Sequence, residues 1–292
     1  MRQLKVRVSD AGKRADIFVS EKYPEFSRSS LNKLFDSNTV RLGKATVKAS
    51  HRLKNGEILS VDDRLLRARP RAINLPVIYE DKDVVVVDKP AGILTHSKGA
   101  MNDEATVASF LQPKITDNAL SGNRAGIVHR LDRYTSGVII GAKTNAALKH
   151  LQKQFTGRKT AKTYLAVVEG WPEPDAAIID APIGRNPRKP QTFKVSSSGR
   201  PAQTAYRALK VFTKNGQKYA FLELKPATGR THQIRVHLSY IGHPIVGDSL
   251  YGHAGPKLLL HAHKLEITLP NREHEVFEAS VPDDLSEFIK NA

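Results

Sequence analysis

One short segment of the chain combines a carboxylate with two arginines. Asp132 lies between Arg130 and Arg133, shortly before the apolar run Val138-Ile139-Ile140. Flanking cations favour the ionised form of a carboxyl group. An ionised carboxylate is better suited to a nucleophile or an electrostatic stabiliser than to a general acid. These residues alone leave open a purely structural Asp–Arg pair at the end of a strand.

The sequence gives little support for metal or thiol chemistry. Cysteine is absent, which excludes disulfides, thiolate nucleophiles and Cys-ligated zinc. Eleven histidines are present, but His232 and His237 are five residues apart and so do not share a helical face. No His-Glu-x-x-His or similar ligand set occurs. We therefore expect no metal and no cofactor.

The charge of the chain points to a polyanionic partner. Lys plus Arg is 46 and Asp plus Glu is 29 among 292 residues, a net charge of +17. Residues 1–72 contain 17 of these cations and 8 of the anions. A positive field of this size favours nucleic acid, although a basic surface that serves solubility alone would give the same count.

The patterns along residues 77–292 are mainly those of strands. Val84–Val87 is a short buried run, and two alternating segments flank Asn215-Gly216, a strong hairpin signal. Helical spacing appears at 145–155, at 231–241 and at 283–290. Without regular strand–helix–strand alternation, these elements predict an α+β fold with a mixed, mainly antiparallel sheet.

The N-terminal segment, residues 1–63, has the pattern of a small basic module. A helix is expected from about Lys13 to Lys22, and a second helix is expected after Ser27 as its cap, with Arg28 and Lys33 facing solvent. Short strands should follow. The Ser27-Arg28-Ser29 start and the Lys54-Asn55-Gly56 turn resemble the αL RNA-binding module first seen in a ribosomal protein. Without that resemblance, a helical cap on the main domain fits the pattern too.

Residues 64–76 lack a helix or strand period and are predicted to be a basic linker to a catalytic domain at 77–292. Its arginines are suited to contacts with a phosphate backbone. They are Arg64, Arg67, Arg69 and Arg71.

The larger domain carries a series of motifs in a fixed order. His129-Arg-Leu-Asp132-x-x-Thr-Ser-Gly137 is similar to the signature of the RluA-type pseudouridine synthases. The segment Lys162-Thr-Tyr164-Leu-Ala-Val167 resembles the tyrosine strand of that family, and Gly229-Arg-Thr-His-Gln-Ile-Arg235 resembles a later block. Together with Leu260-His-Ala262, the resemblance spans about residues 77–270.

The resemblance implies a role for each matched residue. Asp132 would be the essential carboxylate, Arg230 the arginine that pairs with it, and Tyr164 the residue that stacks on uracil. Ile234 would pack on the other face of the base, and Arg130 would fill the space left by a flipped nucleotide. Two further members of the matched blocks, His129 and Arg235, are predicted RNA contacts, as are Arg28 and Lys33 in the N-terminal module.

The implied activity is isomerisation of uridine to pseudouridine in structured RNA, most simply large-subunit ribosomal RNA. Sequence leaves open whether the aspartate attacks the sugar, attacks the base or removes a 2′ proton. Three alternatives are a tRNA-modifying enzyme, an inactive RNA-binding or ribosome-assembly factor, and a nucleoside glycosidase, which usually needs a second carboxylate.

The expected setting of the protein follows from what its sequence lacks. There is no apolar run of the ~18 residues that a membrane helix needs, and Met1–Arg7 has no apolar signal-peptide core. We therefore expect a cytoplasmic monomer that has RNA as its partner and no obligate protein partner.

Overall fold

The computed structural model describes residues 1–67, 70–97, 104–122 and 124–290. The chain divides into two compact units. The first contains Met1–Ile73, His96–Ser109 and Gly122–Arg124, and the second contains Asn74–Thr95, Phe110–Ser121 and Ala125–Ala292. The boundary at 73/74 falls inside the predicted linker. In the described part of the chain, no helix is long and apolar enough to cross a membrane.

The strands of the described residues are β1 (Arg2–Lys5), β2 (Val40–Leu42), β3 (Ala45–Thr46), β4 (Ile58–Val61), β5 (Val77–Glu80), β6 (Val84–Lys89), β7 (Ser136–Ala142), β8 (Ala161–Glu169), β9 (Ala176–Asp180), β10 (Ile183–Arg185), β11 (Phe193–Val195), β12 (Gln203–Lys214), β13 (Gln217–Pro226), β14 (Leu260–Thr268) and β15 (His274–Glu278). The α-helices are α1 (Ala15–Lys22), α2 (Arg28–Asp36), α3 (Val107–Leu111), α4 (Asn145–Thr156), α5 (Gln233–Tyr240) and α6 (Asp283–Lys290).

The first unit packs α1 and α2 with an antiparallel sheet of order β1-β4-β2-β3. Ser27 caps α2 as predicted, because its Oγ accepts a hydrogen bond from the Ser30 amide at 3.2 Å. Helix α1 begins at Ala15, two residues later than predicted, since Arg14 is extended and bridges to Arg52. Phe18, Leu31 and Leu34 are fully buried in the core of this unit.

The start of the predicted linker is not irregular. A short 3-10 helix occupies Arg64–Arg67, and Leu66 is buried in the core of the first unit. The prediction of a segment without helix was wrong there, because a single apolar residue anchors one turn that is too short to show a period. Residues 68 and 69, and with them the predicted phosphate contact Arg69, lie outside the described ranges.

In the second unit, a mixed sheet has the order β5-β6-β7-β14-β8-β13-β12-β9, with β15 paired to β14. The pairing of β7 with β14 is parallel and the other pairings are antiparallel, which confirms the predicted mixed, mainly antiparallel sheet. Asn215 and Gly216 have φ angles of 51° and 76°, as the tight turn between β12 and β13 requires.

One glycine sets the approach of β7 to β14. Gly137 has a φ of 112°, and a Cβ atom at this position would overlap the backbone of Ala262 on β14. Only glycine combines this backbone conformation with so close a contact. The strand that follows Asp132 is thereby held at the middle of the sheet.

Helix α5 begins later than its spacing indicated. The prediction was 231–241, but the helix spans Gln233–Tyr240 because His232 adopts a left-handed conformation with a φ of 56°. Helices α4 and α6 occupy their predicted segments, and Thr144 caps α4 by accepting from the Ala147 amide at 3.2 Å.

Candidate active site

A cavity of about 560 Å³ opens in the second unit. It is bounded by the loop before β7, by β8, and by the segment that leads into α5. Seven predicted site residues line it: His129, Arg130, Asp132, Tyr164, Arg230, Ile234 and Arg235. The fold therefore brings together motifs that are separated by about a hundred residues in the sequence.

Asp132 is positioned by its neighbours in the loop. Leu131 is buried, and its amide donates to Thr95 Oγ1 at 3.1 Å while its carbonyl accepts from the same hydroxyl at 2.8 Å. The Thr135 amide closes a turn onto the carbonyl of Asp132 at 3.2 Å. The carboxylate itself is largely buried, with 18% of its side chain exposed.

Below this loop lies a buried lysine, which sequence reasoning did not identify as part of the site. Lys89 Nζ donates to the carbonyls of Pro90, Ile93 and Arg133 at 2.9, 3.0 and 3.1 Å. Burial lowers the pKa of Lys89 to about 8, and the charges of Asp132 and Asp88 act in the opposite direction. The sequence showed only a strand that ends at a Lys-Pro-Ala-Gly turn.

The arginine beside Asp132 is Arg235, whereas Arg230 was predicted for that place. Arg235 NH1 lies 3.5 Å from Asp132 Oδ2. Arg230 Nε instead donates to the carbonyl of Pro201 at 3.0 Å. The first turn of α5 directs Arg235 toward the carboxylate, while Arg230 lies before the helix, where its amide donates to Gln233 Oε1 at 3.0 Å. The predicted pairing of Arg230 with Asp132 is therefore corrected.

Asp248 holds Arg235 in this orientation and was also missed by the sequence analysis. Its two carboxylate oxygens accept from Arg235 Nε and NH2, both at 2.7 Å. Oδ1 also accepts from the amides of Leu250 and Tyr251 at 3.0 and 3.1 Å. A bidentate pair that is buried on both sides fixes the guanidinium plane. In the sequence this residue is seen only as an aspartate that follows Gly247, outside the motif that contains Arg235.

Tyr164 and Ile234 contribute apolar surface to the cavity. Tyr164 lies on β8 and packs against the same core cluster as Ile234, which is 6% exposed on α5. Burial raises the pKa of the Tyr164 phenol, and the negative charge of Asp132 raises it further. The hydroxyl therefore stays protonated at neutral pH and can act as a hydrogen-bond donor.

His129 was predicted to contact RNA, but its ring is used inside the protein. Nε2 accepts from the Ile140 amide at 3.1 Å, and the ring stacks on Phe155 with centroids 4.6 Å apart. Burial, and to a smaller extent the charge of Lys162, lowers the pKa of His129 to about 3. The neutral ring thus ties the loop that carries Asp132 to β7, and the RNA contact of His129, which lines the cavity, stays a prediction.

The remaining cations of the prediction are placed as follows. Arg130 is exposed and lines the cavity together with Arg158. In the first unit, Arg28 donates to Asp16 at 2.7 Å with 52% of its side chain exposed, and Lys33 is partly buried. Arg28 is thus held by an ion pair and still reaches solvent.

The carboxylates and histidines of the described residues form no cluster of three or more with the geometry of a metal site. The chemical groups that the cavity offers are a largely buried carboxylate beside an arginine, a protonated phenol and an aliphatic face. Such a site can bind a flat, uncharged ring and stabilise charge that develops next to it.

Comparison with known proteins agrees with this geometry. A sequence model of the family described as RNA pseudouridylate synthase matches residues 83–240. A protein of Aquifex aeolicus named uncharacterized RNA pseudouridine synthase is 40% identical over 254 residues, covering 85% of this chain and 80% of that protein. Ribosomal large subunit pseudouridine synthase D of Xanthomonas campestris is 37% identical over 310 residues, covering 99% and 92%.

A solved structure supports the same assignment. Human RNA Pseudouridylate Synthase Domain Containing 1 superposes with a TM-score of 0.57 at 29% identity, covering 72% of this chain and 84% of that chain. The family match spans more than half of the residues, and the Xanthomonas relative covers nearly the whole chain. With Asp132 and Tyr164 meeting in one cavity, this chain belongs to the RluA-type RNA pseudouridine synthase family.

Proposed function

We propose that this RNA pseudouridine synthase isomerises uridines in a structured segment of large-subunit ribosomal RNA, with Asp132 as the essential carboxylate. The observation that carries the proposal is the position of Asp132, largely buried in the cavity and 3.5 Å from the guanidinium of Arg235. The reaction breaks the bond from ribose to a ring nitrogen, turns the uracil and rejoins it through carbon 5. It involves no net oxidation or reduction.

Each side chain of the cavity has a distinct task in this proposal. Asp132 acts at the glycosidic bond, and Arg235 lies beside its carboxylate as the nearest guanidinium. Tyr164 and Ile234 supply the surfaces against which the detached uracil turns. Because Tyr164 keeps its proton, its hydroxyl can donate to the base but does not serve as a phenolate at neutral pH.

The target nucleotide must leave its stack to reach Asp132, at a cost of a few kcal/mol. Arg130 is exposed at the cavity, where its side chain can replace the displaced base. Contacts with RNA phosphates offset the remaining cost, and the surplus of cations supplies them.

We assign the first unit to RNA binding, as an αL-type module. Its support is the arrangement of α1 and α2 with a small antiparallel sheet and the exposed cations Arg28, Arg41, Lys44 and Lys48. Arg28 Nε and NH2 both donate to Asp16 Oδ2, at 3.3 and 2.7 Å, which orients one guanidinium at the start of α2 without burying it.

The choice of ribosomal RNA rests on relatives. Proteins named ribosomal large subunit pseudouridine synthase D, from Xanthomonas campestris and Nitrosomonas europaea, are 37% and 35% identical to this chain over 99% and 96% of its length. A ribosomal substrate would place the protein in the cytoplasm. Transfer RNA is the alternative substrate and forms the second arm of the test.

The test is release of tritium from RNA labelled at carbon 5 of uridine, because that hydrogen is lost when carbon 5 forms the new bond. Ribosomal RNA and transfer RNA are assayed separately with the wild-type protein and with Asp132→Asn. The asparagine side chain has nearly the same shape as the native aspartate but no charge, so this variant separates chemistry from binding.

The expected result is release from ribosomal RNA that falls to background in Asp132→Asn, while the Kd for RNA changes less than about threefold. Release from transfer RNA alone would replace the substrate. Tight binding without release from either RNA would favour an assembly factor, and turnover of free uridine alone would favour a glycosidase. Turnover by pure Asp132→Asn would refute the role of the carboxylate.

A further inference from the structure

A second side chain besides Arg235 approaches the same oxygen of Asp132. His232 Nε2 lies 3.8 Å from Asp132 Oδ2, and its other ring nitrogen, Nδ1, lies 2.7 Å from the hydroxyl of Tyr251. Arg235 NH1 is 3.5 Å from the same Oδ2. Two nitrogens, one from His232 and one from Arg235, thus lie near Oδ2 of the same carboxylate.

The hydrogen bonds of Tyr251 favour one tautomer of His232. The Phe193 amide donates to the Tyr251 hydroxyl oxygen at 2.9 Å, and an amide nitrogen can only donate. In the part of the chain that the structure describes, His232 Nδ1 is the other polar partner of this hydroxyl. The Tyr251 hydroxyl can therefore donate its proton to Nδ1, and a neutral imidazole that accepts there carries its own proton on Nε2.

The surrounding contacts hold both rings in place. The backbone carbonyl of Tyr251 accepts from Ser239 Oγ at 2.7 Å, and the centre of the Tyr251 ring lies 5.1 Å from the guanidinium carbon of Arg235. His232 itself has a φ of 56°, a conformation that is uncommon for residues other than glycine. Backbone strain of this kind persists only where surrounding contacts enforce it.

We propose that His232 is a positioning residue for Asp132: Tyr251 holds it in the Nε2–H tautomer, and this N–H group, together with Arg235, holds the carboxylate in the orientation that the reaction needs. The inference rests on the proposed function of Asp132. It assigns to Tyr251, which does not line the cavity, an effect on the reaction that passes through His232.

Charges around His232 make this arrangement sensitive to acid. Burial lowers the pKa of His232, Asp132 and Asp248 oppose that shift, and Arg235 and Arg130 reinforce it. Burial also raises the pKa of Tyr251, so its hydroxyl keeps the proton that it donates. Protonation of His232 would add a proton to Nδ1 and break the bond donated by Tyr251.

The experiment compares Tyr251→Phe with Tyr240→Phe, which makes the same chemical change on an exposed tyrosine of α5. Single-turnover rates of tritium release and the Kd for RNA are measured from pH 5 to 9. In Tyr251→Phe we expect a rate lower by roughly 3- to 12-fold, the effect of one hydrogen bond. The acidic limb of the pH–rate profile should move to higher pH. Without the Tyr251 hydroxyl, protonating His232 Nδ1 no longer breaks a hydrogen bond, so His232 is protonated more easily. The Kd and the Tyr240→Phe profile should stay unchanged.

A second pair of variants tests His232 directly. His232→Gln keeps an N–H donor that does not titrate, whereas His232→Leu removes the donor. Glutamine should retain most of the rate that leucine loses, and Tyr251→Phe should no longer move the acidic limb in the glutamine background.

Equal rates for glutamine and leucine, or a Tyr251→Phe rate and acidic limb that match the wild type, would overturn the inference. Thermal unfolding of each variant identifies those that are misfolded. If one of the variants at Tyr251 or His232 is misfolded, the folded variants at the other position test the inference. If the wild-type protein releases no tritium, the proposed function fails instead, so the two failures are distinguishable.

Discussion

At the scale of single residues, the contact between Asp132 and Arg235 depends on a third charged side chain, that of Asp248. Asp248 fixes Arg235 through two 2.7 Å hydrogen bonds, and Arg235 in turn lies beside Asp132. Arg230 has neither contact in the structure and is bonded to a backbone carbonyl. A buried ion pair that loses its geometry leaves a charge without full compensation, and this is costly.

We expect Arg235→Lys and Arg230→Lys, which make the same change, to behave differently. Lysine cannot form the bidentate pair with Asp248, so Arg235→Lys should lower the free energy of unfolding by roughly 1–3 kcal/mol and the turnover rate at least tenfold. Arg230→Lys should change stability by no more than about 0.5 kcal/mol and turnover by less than about threefold. Urea unfolding and tritium release measure both. A larger loss of turnover in Arg230→Lys would restore Arg230 as the partner of Asp132 in the RNA complex.

At the scale of elements, the loop that carries Asp132 is held from several directions although it has no regular structure of its own. Thr95 bonds both backbone groups of Leu131, Lys89 binds the carbonyl of Arg133, and His129 ties the loop to β7. Gly137 then lets β7 enter the sheet against β14. Rigid support of this kind keeps a reactive group within the narrow range of positions that catalysis needs.

Thr95→Val tests this support away from the reacting groups. Valine has nearly the same shape but leaves the buried amide and carbonyl of Leu131 without the hydroxyl, so we expect a loss of stability of about 1–3 kcal/mol. Turnover should fall roughly tenfold with an unchanged Kd for RNA. Thr95→Ser keeps the hydroxyl and is the matched control. If serine and valine reduce turnover equally, the hydrogen bonds do not hold the loop.

At the scale of the whole molecule, we expect the net charge of +17 to favour the binding of RNA. Each cation that neutralises an RNA phosphate releases a counterion, so the logarithm of affinity falls with the logarithm of salt concentration. The first unit exposes Lys44 and Lys48, and the second exposes Lys82 and Lys149. These two pairs allow the same charge change to be made in each unit.

We expect the double variant Lys44→Gln/Lys48→Gln to reduce the slope of log Kd against log salt by about 1–2. Lys82→Gln/Lys149→Gln should leave the slope within error of the wild type, because these side chains lie on the turn before β6 and on α4, away from the cavity lining. Filter binding between about 50 and 300 mM salt measures both. Equal slopes for the two variants would argue against RNA binding by the first unit.

Much of the architecture was already determined by the sequence, because it depends on short-range physics. The apolar run of β6, the Asn215-Gly216 turn and the cap at Ser27 each depend on the preferences of a few adjacent residues, and all three occur where predicted. The resemblance of their motifs to a known family likewise pointed to Asp132 and Tyr164, which line one cavity.

The partners of these residues were decided only by the tertiary structure. Arg230 and Arg235 stand in one motif, and nothing local distinguishes the arginine that reaches Asp132. Asp248 lies outside the motif and holds Arg235 in place. Lys89 binds the carbonyl of Arg133, which is 44 residues further along the chain. Electrostatic pairing is strong where water is excluded. Long-range packing determines which side chains meet in such a buried site, and local sequence patterns contain no information about that packing.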